Sequence, residues 1–159
     1  MTDAAVKNLE KSLLLEAVRL TYGSTEIFNE LDVVKVSASD HSNFEHAYSL
    51  KELNIHQLTI EGTIKWNYSY KYRFGARLVE SASEDDKTNQ IVIMATFDAS
   101  YYTQNELTKD ELTSFGKSEV KRHVWPYWRE YLQSTIARLG LPFDFPLLEY
   151  YPGDESDRV

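Results

Sequence analysis

The order of hydrophobic periods along this chain predicts an α+β domain, with helices packed on one face of an antiparallel sheet. Residues Ile64–Leu78 alternate strictly between apolar and polar, and Gln90–Tyr102 reads as a second long strand. After Thr108 the apolar spacing becomes helical. Strands followed by helices are the mark of a sheet with its helices segregated to one side. A length of 159 residues fits one domain, expected here over 1–151, with 152–159 an acidic mobile tail.

Taken in order, the first eleven residues suit a short polar helix. Leu13–Tyr22 is open between two readings: Leu14, Val18 and Tyr22 fit a helix, whereas Val18, Leu20 and Tyr22 alternate, which favours a strand in the second half. Gly23-Ser24 breaks the pattern. Residues 24–52 are poorly patterned, with a short strand expected at Asp32–Ser37 and a loop at Ser39–Asn43. The clearest strand begins near Asn54. Ile64, Trp66, Tyr68, Tyr70, Tyr72, Phe74, Ala76 and Leu78 take one face, and Lys65, Asn67, Ser69, Lys71, Arg73 and Arg77 the other. His56, Leu58 and Ile60 keep the first parity, with Gly62 a candidate bulge. The polar stretch Ser81–Asn89 then joins this strand to Gln90–Tyr102 as a long hairpin.

Thr108 and Glu111 match a capping box, in which each side chain satisfies an amide left open at a helix start. Leu112 and Phe115 follow at helical spacing. A second segment puts Val124, Trp128, Tyr131, Leu132, Thr135, Ile136 and Leu139 on one stripe. Pro126 is expected just inside its start, where a missing amide proton costs little. Gly140 and Pro142 form the stop, with Arg138 at the negative end of the helix dipole.

Composition narrows the chemistry. With no cysteine, disulfides, thiolate catalysis and iron–sulfur ligation are excluded, and a reducing cytoplasm is expected. The N-terminal residues lack the basic and apolar regions of a signal peptide. No apolar run approaches the roughly 20 residues of a membrane span. His41, His46, His56 and His123 show no ligand spacing, and 6 glycines give no phosphate-cradling loop, so neither metal nor cofactor is expected. A net charge of −8 opposes nucleic-acid binding. Aromatic residues at 13% favour extensive interfaces.

Trp125-Pro126-Tyr127-Trp128-Arg129-Glu130, then Arg138 after seven residues and Pro142 four further on, resembles the long-helix motif of the SecB export-chaperone family. Asp110-Glu111-Leu112-Thr113 and the Leu141-Pro142 exit make the resemblance closer to the SecB-like chaperones of toxin–antitoxin–chaperone systems. The resemblance implies a four-stranded antiparallel sheet with a long C-terminal helix, assembled as a tetramer, a dimer of dimers. It implies clients held in extended form along apolar grooves. Few residues follow Tyr150, so a second helix is expected to be short or absent, and no counterpart is expected for the tail with which SecB contacts the motor ATPase SecA.

On this reading the polypeptide-binding candidates are Trp128, Tyr131, Leu132, Leu141, Phe143, Phe145, Leu147, Tyr150 and Tyr151, and the oligomer-interface candidates are Trp125, Tyr127, Arg129 and Glu130. Packing competes with each assignment. The aromatic face Trp66–Phe74 is read as core and interface before client platform, because water would not tolerate five exposed rings. Leu141–Tyr151 stays open between groove and packing. Arg129 and Glu130 read as a surface or interface ion pair, not a catalytic one. The expected function is an ATP-independent holdase for non-native polypeptide, with a dedicated antitoxin as the favoured client. General delivery of preproteins to the Sec pathway is the alternative. A single-stranded nucleic-acid module is a third reading, resting on basic residues interleaved with the aromatic ones. Alternation, however, sends the two sets to opposite faces.

Overall fold

The computed structural model describes residues 12–28, 42–81 and 87–141. Strands β1 (Leu14–Ile27), β2 (Ser42–Ile60), β3 (Thr63–Ser81) and β4 (Lys87–Thr103) form one antiparallel sheet in the order β1-β4-β3-β2. Helix α1 (Lys109–Phe115), a π-turn (Gly116–Val120) and helix α2 (Lys121–Arg138) follow without a break. They pack on β3 and β4. The expected helix before β1, the strand at Asp32–Ser37, any second helix and the acidic tail lie outside the described residues.

The alternation in β3 sorts its side chains as expected. Tyr68, Tyr70, Tyr72, Phe74, Ala76 and Leu78 are buried beneath the helix. On the opposite face Lys71 pairs with Glu52 of β2 at 2.7 Å and Arg77 with Glu45 at 2.5 Å. One face of β3 is therefore apolar and the other carries its polar and charged side chains, the alternation an antiparallel strand covered on one side shows.

Five expectations change along the strands and their connections. The strand signal near Asn54 belongs to two strands, because Glu61-Gly62 is not a bulge but a two-residue turn, with φ of 50° and 76°. Positive φ at both turn positions matches the twist of the flanking strands. Ser42 and Asn43 of the expected loop, and the poorly patterned residues from there to Glu52, belong to β2, which starts at Ser42. Gly23-Ser24 does not end β1, which continues to Ile27. A Cβ on Gly23 would collide with the Tyr131 hydroxyl, so glycine here admits the helix rather than breaking the strand. Finally, Tyr22 does not share a face with Leu20, because the register shifts between them. Bulges at Glu16 and Thr21 in β1 and at Lys51 in β2 reset the parity of both edge strands. The polar connection is also shorter than Ser81–Asn89, since β3 reaches Ser81 and β4 starts at Lys87.

The capping box forms as expected: Thr108 Oγ accepts from the Glu111 amide, and the Glu111 carboxylate accepts from the Thr108 amide at 2.8 Å. The two helical segments are, however, one. Pro126 lies inside α2 instead of at its start. It is exposed, so the carbonyl deprived of its amide donor can turn to water. At the far end Gly140 adopts φ 67°, its amide donates to Ala137 O at 3.1 Å, and the Leu141 amide donates to Ile136 O at 3.3 Å. Those two bonds make a Schellman stop, closed by the buried apolar pair Ile136 and Leu141.

Candidate polypeptide-binding surface

A helix with its side chains is about 10–12 Å across, and strands lie about 4.8 Å apart. One helix can therefore cover about two strands of four. The helical layer takes the middle pair. Trp128, 1% exposed, stacks on Phe74 with ring centroids 5.7 Å apart. Trp125 and Phe97 meet the edges of the same ring at 6.1 and 6.2 Å. Tyr131 stacks on Trp128 at 6.2 Å and reaches over Gly23.

The buried tyrosines also tie the helix down through their hydroxyls. Tyr70 donates to Leu112 O at 3.1 Å, Tyr72 to Gly116 O at 2.5 Å, and Tyr68 accepts from the Leu107 amide at 2.9 Å. Burial pushes the phenols of Tyr70 and Tyr101 upward, so both keep their protons. The Tyr101 hydroxyl and His123 Nδ1, 2.9 Å apart, share one hydrogen bond. Among the described residues no three potential ligands cluster as a metal site would need.

What the helix leaves open lies to either side of it. On the β1 side, the register carries Leu15, Leu20 and Ile27 to the helix-bearing face opposite Tyr101, Phe97 and Ile91. All three are exposed, Leu20 by 50%. On the β2 side, Tyr48 and Ile55 lie opposite Phe74 and Tyr68 and are 49% and 50% exposed, with Leu50 and Leu53 half-buried between them. The Lys121 ammonium sits 3.6 Å above the Tyr48 ring, a cation–π contact that ties α2 to this shelf. On its other face β1 also exposes Leu14 and Tyr22, by 70% and 51%, among the polar residues Arg19, Ser24 and Glu26.

The candidates named from sequence fall into three groups. Trp128, Leu132 and Leu141 are core residues of the subunit, and Tyr131 and Trp125 are half-buried against that core. Tyr127, Arg129 and Glu130 are exposed on the outward side of α2. Phe143, Phe145, Leu147, Tyr150 and Tyr151 lie outside the described residues. The shelf residues Leu20, Tyr48 and Ile55 escape sequence reasoning, because the edge bulges interrupt the alternation that would mark them.

No family model and no curated protein matches the chain in sequence. In structure it matches the SecB-like chaperone of Mycobacterium tuberculosis, solved in complex with a ChAD peptide from the HigA1 antitoxin. The TM-score is 0.67 and the identity 16%, covering 88% of this chain and 92% of that one. The fold is SecB-like. Within that SecB-like architecture the described residues include no helix long and apolar enough to cross a membrane.

Proposed function

We propose that this chain is an ATP-independent chaperone, a holdase that shields exposed apolar stretches of non-native polypeptide and carries out no chemistry of its own. The observation that carries the reading is the pair of apolar shelves left on the helix-bearing face by a helix half as wide as the sheet. Extended apolar segments suit such strips, and several weak contacts spread over an oligomer raise the effective affinity. The fold supports the same reading, since the Mycobacterium tuberculosis protein it resembles was solved with an antitoxin peptide. We take a dedicated antitoxin as the client on that likeness. Exposed apolar residues on both faces of the edge strand β1 favour its burial against a second copy in a tetramer, leaving the β2 shelf for the client. The nucleic-acid reading loses its support, because the rings of Tyr68–Phe74 lie under the helix and cannot stack on bases.

Native mass spectrometry of the purified protein, with and without a permanently unfolded polypeptide, tests this function. A tetramer that takes up the unfolded chain and ignores its folded form is the expected result. A monomer indifferent to unfolded protein would refute the reading. Co-purification with one small partner, against equal binding of many unfolded proteins, separates a dedicated client from a general one.

A further inference from the structure

The helical layer buries Leu112, Gly116, Val120, Val124, Trp128, Leu132 and Ile136, a stripe in which each residue follows the last by four. In an α-helix each step of four overshoots a full turn by about 40°. Six such steps would carry the stripe about 240° around the axis and off the sheet. The π-turn at Gly116–Val120 accommodates one more residue without the rotation that residue would add, taking back about 100°.

Such a turn widens the helix locally, and two side-chain hydroxyls donate to carbonyls within and just before it. Tyr72 donates to Gly116 O at 2.5 Å from the sheet side, and Ser118 Oγ donates to Ser114 O at 3.0 Å. Packing fits the same geometry: a Cβ on Gly116 would lie 2.9 Å from Tyr70 Cε1 and 3.3 Å from Leu50 Cδ2. The turn is thus pressed onto β3 and β2 at the point where Tyr72 grips it. The first residue beyond it is Lys121, which lies over Tyr48 on the β2 shelf.

We propose that Tyr72 is a positioning residue. Its hydroxyl, acting through the Gly116 carbonyl, holds the π-turn and so sets the rotational phase of α2 that places Lys121 on the Tyr48 shelf. The functional consequence rests on the chaperone reading; the placement does not.

The test compares Tyr72→Phe, deletion of the exposed Lys117, and the two combined. Deleting one residue from the π-turn leaves a regular α-helix with α1 and α2 in their present phases, and removes the need for the Tyr72 hydroxyl. Two quantities are read in the full chain: the upfield ring-current shift of the Lys121 ε-methylene protons over Tyr48, and the affinity for reduced, carboxymethylated lactalbumin. Tyr72→Phe is expected to abolish the shift and to weaken binding about tenfold, in keeping with the loss of one buried hydrogen bond. The deletion alone keeps both, and the combined variant recovers both. Should Tyr72→Phe fail to fold, folding of the combined variant supports the proposal in the same way. A shift that survives Tyr72→Phe, or a combined variant no better than Tyr72→Phe, overturns the proposal. If the wild-type protein binds no lactalbumin while the shift behaves as described, the placement stands and only the chaperone reading fails.

Discussion

The middle and the edges of the same sheet face carry similar side chains and meet different fates. Under the helix, Phe74, Phe97 and Tyr70 are sealed against Trp128 and Phe115. Beside them, opposite and in register, Leu20 and Tyr48 keep about half of their surface in water. Nothing in residue type separates the two sets. The width of the cover does, and one helix cannot span four strands. Apolar surface that a fold must leave open is surface available to another chain.

If that comparison is right, truncation under the helix should cost far more stability than truncation beside it. Trp128→Ala, which removes the ring stacked on Phe74, is expected to cost about 3–5 kcal/mol in denaturant unfolding. Gly23→Ala comes next, at about 1–3 kcal/mol, because its Cβ meets the Tyr131 hydroxyl. Tyr131→Phe in the same chain should recover part of that loss, and no recovery would mean that the strand, not the contact, needs glycine.

Thr108→Ala should cost about 1 kcal/mol through the lost cap. The Thr108 amide and hydroxyl hold the Glu111 carboxyl below its ordinary range. Its folded value is thus lower than its unfolded one. The stability it adds is present above the ordinary carboxylate range and is lost as pH falls through the folded value. Glu111→Gln should therefore flatten the acid side of a thermal-stability profile measured between neutral and acid pH. Smaller in stability, Tyr48→Ser should cost about 0.5–1 kcal/mol through the lost cation–π contact with Lys121, and Leu20→Ser should stay within about 0.5 kcal/mol of the parent. Tyr48→Ser should nonetheless weaken capture of unfolded polypeptide in a fluorescence titration.

The centre of the fold was legible in the sequence and its margins were not. The alternation of β3, the capping box and the Gly140 stop all report local geometry, and each formed as read. At the edges, bulges at Thr21 and Lys51 shift parity by one residue, so Tyr22 changed faces and β2 was read only from Asn54 onward. The π-turn did leave a trace, a run of buried residues spaced by four that includes a glycine within a helix. The apolar stripe of α2 correctly marked Trp128 and Leu132 for burial. It could not tell whether the cover would be the chain's own sheet or a client. Exposure of Tyr48 and Ile55 depends on how far a helix reaches across neighbouring strands, which no local pattern records.

Photo-crosslinking addresses the central claim most directly. A photoreactive phenylalanine analogue is placed at Tyr48, on the open shelf, or at Arg73, on the charged face of the middle strand β3, and irradiated with a permanently unfolded polypeptide. Strong crosslinks from position 48 and background from position 73 are expected. Equal crosslinking from both, or crosslinks from position 73 alone, would contradict the claim.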